Sequence, residues 1–461
     1  MFRHNNRNHS GRFEMDMTTG PLLPKVLMFS GPLILTGILQ LLYNAADIVV
    51  VGRFAGAQAL AAVGSTGSLI NLLVNVFMGL SVGASVVVAR AYGAGDFRSV
   101  RAGVHTAITV AGISGVAVGI IGVVAARPLL NLMGSPADVI DDATLYVQIY
   151  FIGMPANMLY NFGAAILRAV GDTRRPLYYL TIAGIINVLL NLLLVIVFQM
   201  SVAGVAIATV ASQVISMVLV LICLIRTDGA IHLNPKELRI HGAQLKEIFR
   251  VGLPAGLQGS LFSISNVLIQ SSINSFGAIS MAGNTAASNI ESFIYTATNA
   301  LHQANLTFAS QNLGAQQFGR VRRVMWVCLG SVVVIGLTLG LTFLSMGPTL
   351  IGFYNTDPNV IDFGMIRMRI IFPFHFLCGL MDTMVGQLRG IGYSIMPMIV
   401  SLTGACLLRV VWIFTIFAAN PTPETLFLSY PISWFATFAT HLLCYLIFGR
   451  RRLKKMELGT A

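Results

Sequence analysis

Apolar runs of about 20 residues, the length that crosses the hydrocarbon core of a bilayer, recur along this chain between short polar connections. They centre on residues 28–50, 62–88, 104–125, 145–166, 178–198, 204–225, 252–275, 283–306, 324–346, 370–388, 397–418 and 426–448, and predict twelve membrane helices. Glycine, with 45 residues, is frequent inside them and suits close helix–helix approach in lipid. Residues 1–19 are polar and basic with no apolar core, so no cleavable signal is expected and the first run stays in the membrane.

The polar punctuation repeats. Ser30-Gly31-Pro32 parallels Gly252-Leu253-Pro254, and Ala91 to Phe97 parallels Asn312 to Phe318, each followed by a basic cluster. Leu167-Arg168-Ala169-Val170-Gly171 with Pro176 parallels Leu388-Arg389-Gly390-Ile391-Gly392 with Pro397, at an offset of about 221 throughout. The chain therefore divides into a tail (1–25), a six-helix lobe (26–225), a polar link containing Pro235 (226–250), a second six-helix lobe (251–449) and a basic tail (450–461). Six is even, so both lobes insert the same way up, related by an axis along the membrane normal. That all-α architecture of two parallel six-helix lobes is one that alternating-access transporters use.

Composition agrees: 56% of residues are hydrophobic, 10% are charged and the mean hydropathy is +0.78. Soluble domains carry about 25% charged residues. The net charge of +12 is explained by topology without nucleic acid. Taking connections alternately, one side receives Arg53, Arg127, Arg367 and Arg369, Arg409 is intramembrane, and every other basic residue falls on the other side with both termini. The positive-inside rule makes that side cytoplasmic. The five cysteines lie within apolar segments without paired spacing and read as small buried hydrophobes.

Against this background Asp47, Glu291, Asp382 and Arg409 are misplaced, and an ionisable residue inside a membrane segment marks a functional site by default. In the first segment Gln40, Tyr43 and Asn44 share the face of Asp47. Asn157 and Asn161, Asn187 and Asn191, and Thr209 and Gln213 are polar pairs four residues apart on the fourth, fifth and sixth segments. Oxygens from these helices around one carboxylate could hold Na⁺; a carboxyl withdrawn from water could instead exchange a proton. The amides could equally be interhelical glue. In the second lobe, helix rise places Glu291, His375 and Arg409 at about 25, 21 and 18 Å from the basic end, and Asp382 at about 10 Å. Arg409 is expected either to neutralise an acid or to leave one of the two acids free for a cationic substrate. His105, His302 and His441 are isolated and read as packing or gating residues.

The opening Gly-Pro, the segment Tyr43-Asn44-Ala45-Ala46-Asp47-Ile48-Val49-Val50-Val51-Gly52-Arg53, the Gly-Ala turns at 93–94 and 314–315, and the doubled Leu-Arg-x-x-Gly motif resemble the multidrug and toxic compound extrusion (MATE) family. The resemblance covers the chain after about residue 20. It implies a twelve-helix antiporter expelling cationic organic compounds in exchange for Na⁺ or H⁺, with no other cofactor and no catalysis. It implies a cation site at Asp47, Asn187 and Thr209 and a bend at Pro32; the polar faces themselves add Tyr43, Asn161 and Asn191 to the expected coupling site and assign substrate contacts to Gln40, Asn157, Glu291, His375, Asp382 and Arg409. Asn191 departs from the family pattern, where an Asp is frequent, which favours proton use. A lipid-linked saccharide flippase of the related superfamily is the alternative, although a diphosphate would call for more buried basic residues than Arg409. Enzyme signatures such as His-Glu-x-x-His or Gly-x-Ser-x-Gly are missing from the sequence. The expected setting is the plasma membrane, with lipid and a small-molecule substrate as partners and the chain a monomer.

Overall fold

The computed structural model describes residues 13–133 and 136–459; Arg3, Arg7 and Arg12 of the basic tail lie outside them. Among the described residues all regular structure is helical. Helix α1 spans Leu22–Val50 and continues as a π-helical turn, Val51–Ala55. Helices α2 (Ala57–Gly93) and α3 (Phe97–Leu132) are long, whereas α4 is broken at Gly153 into Ile140–Ile152 and Met154–Ala169. Helix α5 (Arg174–Leu192) widens into a π turn at Leu193–Val197, and α6 spans Ser201–Arg226. The second repeat comprises α7 (Gly242–Asn274), α8 (Ala278–Gly314) and α9 (Phe318–Ser345). It continues with α10, in which Pro358–Ile371 and His375–Gly390 join through a 3₁₀ turn. Helix α11 runs from Ile395–Ser401 to Ile413–Phe417 through two π turns, and α12 from Pro423–Cys444 to Arg450–Glu457 through another.

Nine of these helices are by themselves long and apolar enough to cross a membrane. The other three predicted segments fall short for visible reasons. The break at Gly153 shortens both pieces of α4, and α7 and α8 carry polar side chains along their length, Gln258, Asn266, Asn284 and Asn305 among them. The polar link is ordered: Ile231 and Leu233 are buried, His105 Nε2 accepts from the Asn234 N–H at 3.2 Å, and Thr106 Oγ1 accepts from the His241 N–H at 3.0 Å.

Contacts group the chain into two compact units; none of their limits falls in the link, and two of the three fall inside helices. Unit 1 holds residues up to Thr19 and Leu35–Gly256; unit 2 holds Gly20–Ile34 and Leu257–Ala461. The two cuts inside helices each lie two residues past a helix-internal proline, Pro32 in α1 and Pro254 in α7. In unit 1, glycines press the start of α7 onto α2: a Cβ at Gly252 would meet the Leu80 Cα at 2.6 Å, and Gly79 and Gly256 face each other backbone to backbone. Phe151, Met154, Met158 and Phe162 fill the core of this unit. In unit 2, Phe29 from the start of α1 is fully buried edge-on against Phe308 of α8, with centroids 5.8 Å apart, and Ile294, Phe372 and Phe427 anchor the core.

The doubled motif is a doubled helix stop. Asp172 N–H bonds the Leu167 carbonyl and Gly171 N–H the Arg168 carbonyl, both at 2.9 Å; Tyr393 and Gly392 repeat the pattern on Leu388 and Arg389 at 2.8 and 2.9 Å. Gly171 and Gly392 sit at φ +92° and +96°, left-handed backbone that glycine adopts without a Cβ clash. The sequence places Arg389 in a connection. The structure corrects this, since Arg389 is buried in the last turn of α10 and donates to Gln258 Oε1 at 2.8 Å.

Candidate coupling and substrate sites

In unit 1 the site begins with two residues. Asn191 of α5, 1% exposed, donates its amide N–H to the Asp47 carboxylate of half-buried α1, and lies 3.4 Å from Asn187 Oδ1. Asn191 Oδ1 is left buried without a partner. Both helices widen to π geometry within four residues of this contact, at Val51 and Leu193, and the widened turns adjoin. Such one-turn bulges are frequent at functional sites because they re-aim side chains without ending the helix.

The rest of the predicted ring makes other bonds. Tyr43 donates to the Thr181 carbonyl at 3.3 Å while its ring lies against Gly184, where a Cβ would meet Cδ2 at 2.6 Å; it fastens α1 to α5. Asn161 donates to the carbonyl and side-chain oxygen of Asn157, at 2.8 and 3.0 Å, and Thr209 donates to the Val205 carbonyl at 3.0 Å. Short polar side chains in helices routinely bond the carbonyl one turn back in this way. Gln40 and Asn44 are exposed. Sequence reasoning missed Tyr146 of α4, a buried residue within electrostatic reach of Asp47 whose ring stacks on Tyr150 at 6.3 Å; its place one turn before Tyr150 was the available signal.

In unit 2 the acids separate. Glu291 pairs with Arg367 at 2.6 Å, and Arg367 also donates to Asn284 Oδ1 at 2.6 Å while lying over the rings of Phe427 and Tyr430. His375 Nε2 is 3.6 Å from the other Glu291 oxygen, and its ring meets Trp434 edge-on at 5.4 Å. This corrects two expectations. Arg367, assigned from sequence to an external connection, is 5% exposed inside α10. Its charge and those of Asp362 and Arg369 masked the helix start, which Asp357 caps by accepting from the Asn359 N–H at 2.9 Å. Arg409 does not hold an acid: it donates Nε to Ser433 at 2.8 Å and stacks over Tyr430 at 4.3 Å. Asp382 lies two turns further along α10 than His375; its carboxylate makes no hydrogen bond or ion pair among the described residues, while His302 is bonded to its backbone carbonyl at 2.5 Å.

Glu291, Arg367, His375, Tyr295 and Tyr430 line a cavity of about 310 Å³ within unit 2, shared with the amides of Asn266, Gln270 and Asn284. Removing either partner of the Glu291–Arg367 pair would strand a buried charge, at a cost of about 3–5 kcal/mol.

A helical chain of two repeats, with membrane-length helices and charges enclosed among them, has the architecture of a multi-pass membrane protein. The MatE family model matches residues 32–193 and again 254–415, so the chain belongs to the MatE family. It is similar to the "Probable multidrug resistance protein YoeA" of Bacillus subtilis (strain 168), 27% identical over 81% of this chain and 82% of that protein. It is also similar to the "FAD transporter" of Shewanella oneidensis (strain ATCC 700550 / JCM 31522 / CIP 106686 / LMG 19005 / NCIMB 14063 / MR-1), 25% identical over 71% of this chain and 74% of that one. The fold is shared with a solved structure titled "Outward-facing conformation of a multidrug resistance MATE family transporter of the MOP superfamily", at TM-score 0.88 and 21% identity, covering 96% of this chain and 98% of that one.

Proposed function

We propose that this protein is a plasma-membrane antiporter that exports amphipathic organic compounds by alternating access, driven by H⁺ taken up at Asp47, with both termini in the cytoplasm. The observation that carries the reading is the Asp47–Asn191 contact, a lone carboxylate in α1 held by a buried amide. An amide N–H facing the carboxylate suits its ionised form. Protonation turns one oxygen into a donor, for which the unpartnered Asn191 Oδ1 is the ready acceptor after an amide rotation. A Na⁺ ion here would have one carboxylate and neutral dipoles to replace its hydration shell. Asn187, Asn161, Thr209 and Tyr43 support the site by fixing the helices around it, with Pro32 as the bend point of α1.

Relatives named for multidrug resistance and for FAD support an organic solute. The unit 2 cavity with Glu291 and His375 is the substrate site, and Arg409 orients its aromatic wall. The test is efflux into inverted vesicles under separately imposed proton and sodium gradients. The reading requires transport driven by the pH gradient alone; transport that stops in Na⁺-free buffer at an unchanged pH gradient would overturn it.

A further inference from the structure

The unit 2 cavity has the wrong polarity for a cation. It holds one acid, Glu291, and Arg367 already engages that acid at 2.6 Å. A second guanidinium, Arg409, is buried behind Tyr430, which lines the cavity. At the cavity wall one guanidinium thus meets one carboxylate, with Arg409 in reserve beyond Tyr430; the other acid of α10, Asp382, lies within electrostatic reach of Tyr295 and is itself set against Arg389. Unused donor capacity lines the cavity: Arg367 Nε is a buried donor without an acceptor, and His375, 0% exposed, has both ring nitrogens without a hydrogen-bond partner, one of which is a donor in either tautomer. A stranded buried donor is costly, more so when charged. A ligand that supplies acceptors relieves that cost, whereas an ammonium brings only donors and meets an acid that is already paired.

We propose that this cavity binds the oxyanion of a compact amphipathic organic anion, a carboxylate, sulfonate or phosphate ester on an aromatic body. The oxyanion pairs with Arg367 and His375, and the body lies against Tyr295 and Tyr430. The proposal rests on the reading of this cavity as the substrate site. Its volume, near the lower end of ligand pockets, admits one or two fused rings. Glu291 competes with the ligand for Arg367 and so holds its affinity down, which keeps the site able to release what it binds.

The test uses the purified full-length protein, with naphthalene-2-sulfonate and the cation of the same ring system, 2-naphthyltrimethylammonium, titrated calorimetrically. The sulfonate binds saturably and the cation does not displace it. Glu291→Gln frees Arg367 and tightens sulfonate binding roughly tenfold, the equivalent of about 1.4 kcal/mol. The double variant Glu291→Gln/Arg367→Gln keeps the shape without the charges, melts above Glu291→Gln because no buried guanidinium is stranded, and loses the sulfonate. Cation binding that Glu291→Gln abolishes, or sulfonate binding that survives in the double variant, overturns the proposal. Should Glu291→Gln not fold, Arg367→Lys, which keeps the charge but loses the planar fork, gives the same decision: weaker sulfonate binding supports the site and unchanged binding overturns it. Saturable sulfonate binding without gradient-driven transport of either probe would sink the export reading and leave the anion site standing; the reverse combination sinks the anion site alone.

Discussion

At the scale of single residues, Asp47 and Glu291 differ in whether the acid has a partner of opposite sign. Asp47 is met by an amide, and Glu291 by a guanidinium. An amide leaves the carboxyl free to change its protonation state, while a guanidinium pins it as an anion. Asp47→Asn is therefore expected to reduce pH-driven efflux at least tenfold with little change in thermal stability, read by vesicle transport beside a melting curve; wild-type efflux would make Asp47 structural. Asn191→Asp places a second carboxylate beside the first and is expected to make transport depend on Na⁺, since a divalent negative site can replace the ion's hydration. An unchanged Na⁺ response would separate this contact from coupling. Asp47 and Asn191 were legible in the sequence because a polar side chain within an apolar segment has few innocent explanations. Arg367 was not, because three charges near the helix start look like a loop until the Asp357 cap is seen. Thr209 and Asn161 show what spacing cannot reveal: each donates to its own helix one turn back.

At the scale of elements, the two repeats have kept their stops and drifted in chemistry. Helix α2 ends with Gly95 at φ +70° followed by Asp96, which caps α3 by accepting from the Ser99 N–H at 3.0 Å. At the matching end of α8 the Gln316 and Gln317 N–H groups bond the Leu313 and Asn312 carbonyls, as those of Gly95 and Asp96 bond Tyr92 and Ala91, but Gln316 takes the φ of +57° and the Gln317 side chain caps nothing. Left-handed backbone costs a residue with a Cβ about 1–2 kcal/mol, and a missing N-cap about 1 kcal/mol. Gln316→Gly/Gln317→Asp should therefore raise stability by roughly 1–2 kcal/mol, visible as a higher melting midpoint with transport unaltered. A lower midpoint would show that the glutamines make compensating contacts. The repeat, the helix count and these turns were readable from spacing, because glycine and proline at a fixed offset record backbone geometry directly. The π turns were not readable, since widening a helix by one residue changes no composition.

At the scale of the whole molecule, basic residues predict that both ends of the chain lie in the cytoplasm. A C-terminal reporter that is active only outside the cytoplasm should stay silent, and strong activity would overturn the topology. The crossing of α1 and α7 at their prolines bears on whether the two repeats could ever live apart. Each compact unit borrows its opening stretch of helix from the other repeat, Gly20–Ile34 in one case and the start of α7 in the other. A gene cut in the link near Pro235 would thus yield two fragments that each lack a wall and carry a spare one. Made alone, either fragment should be degraded. Made together in one cell, they should rebuild a working transporter, each supplying the other's missing helix, so that a duplication which began as two copies now survives only as an exchange.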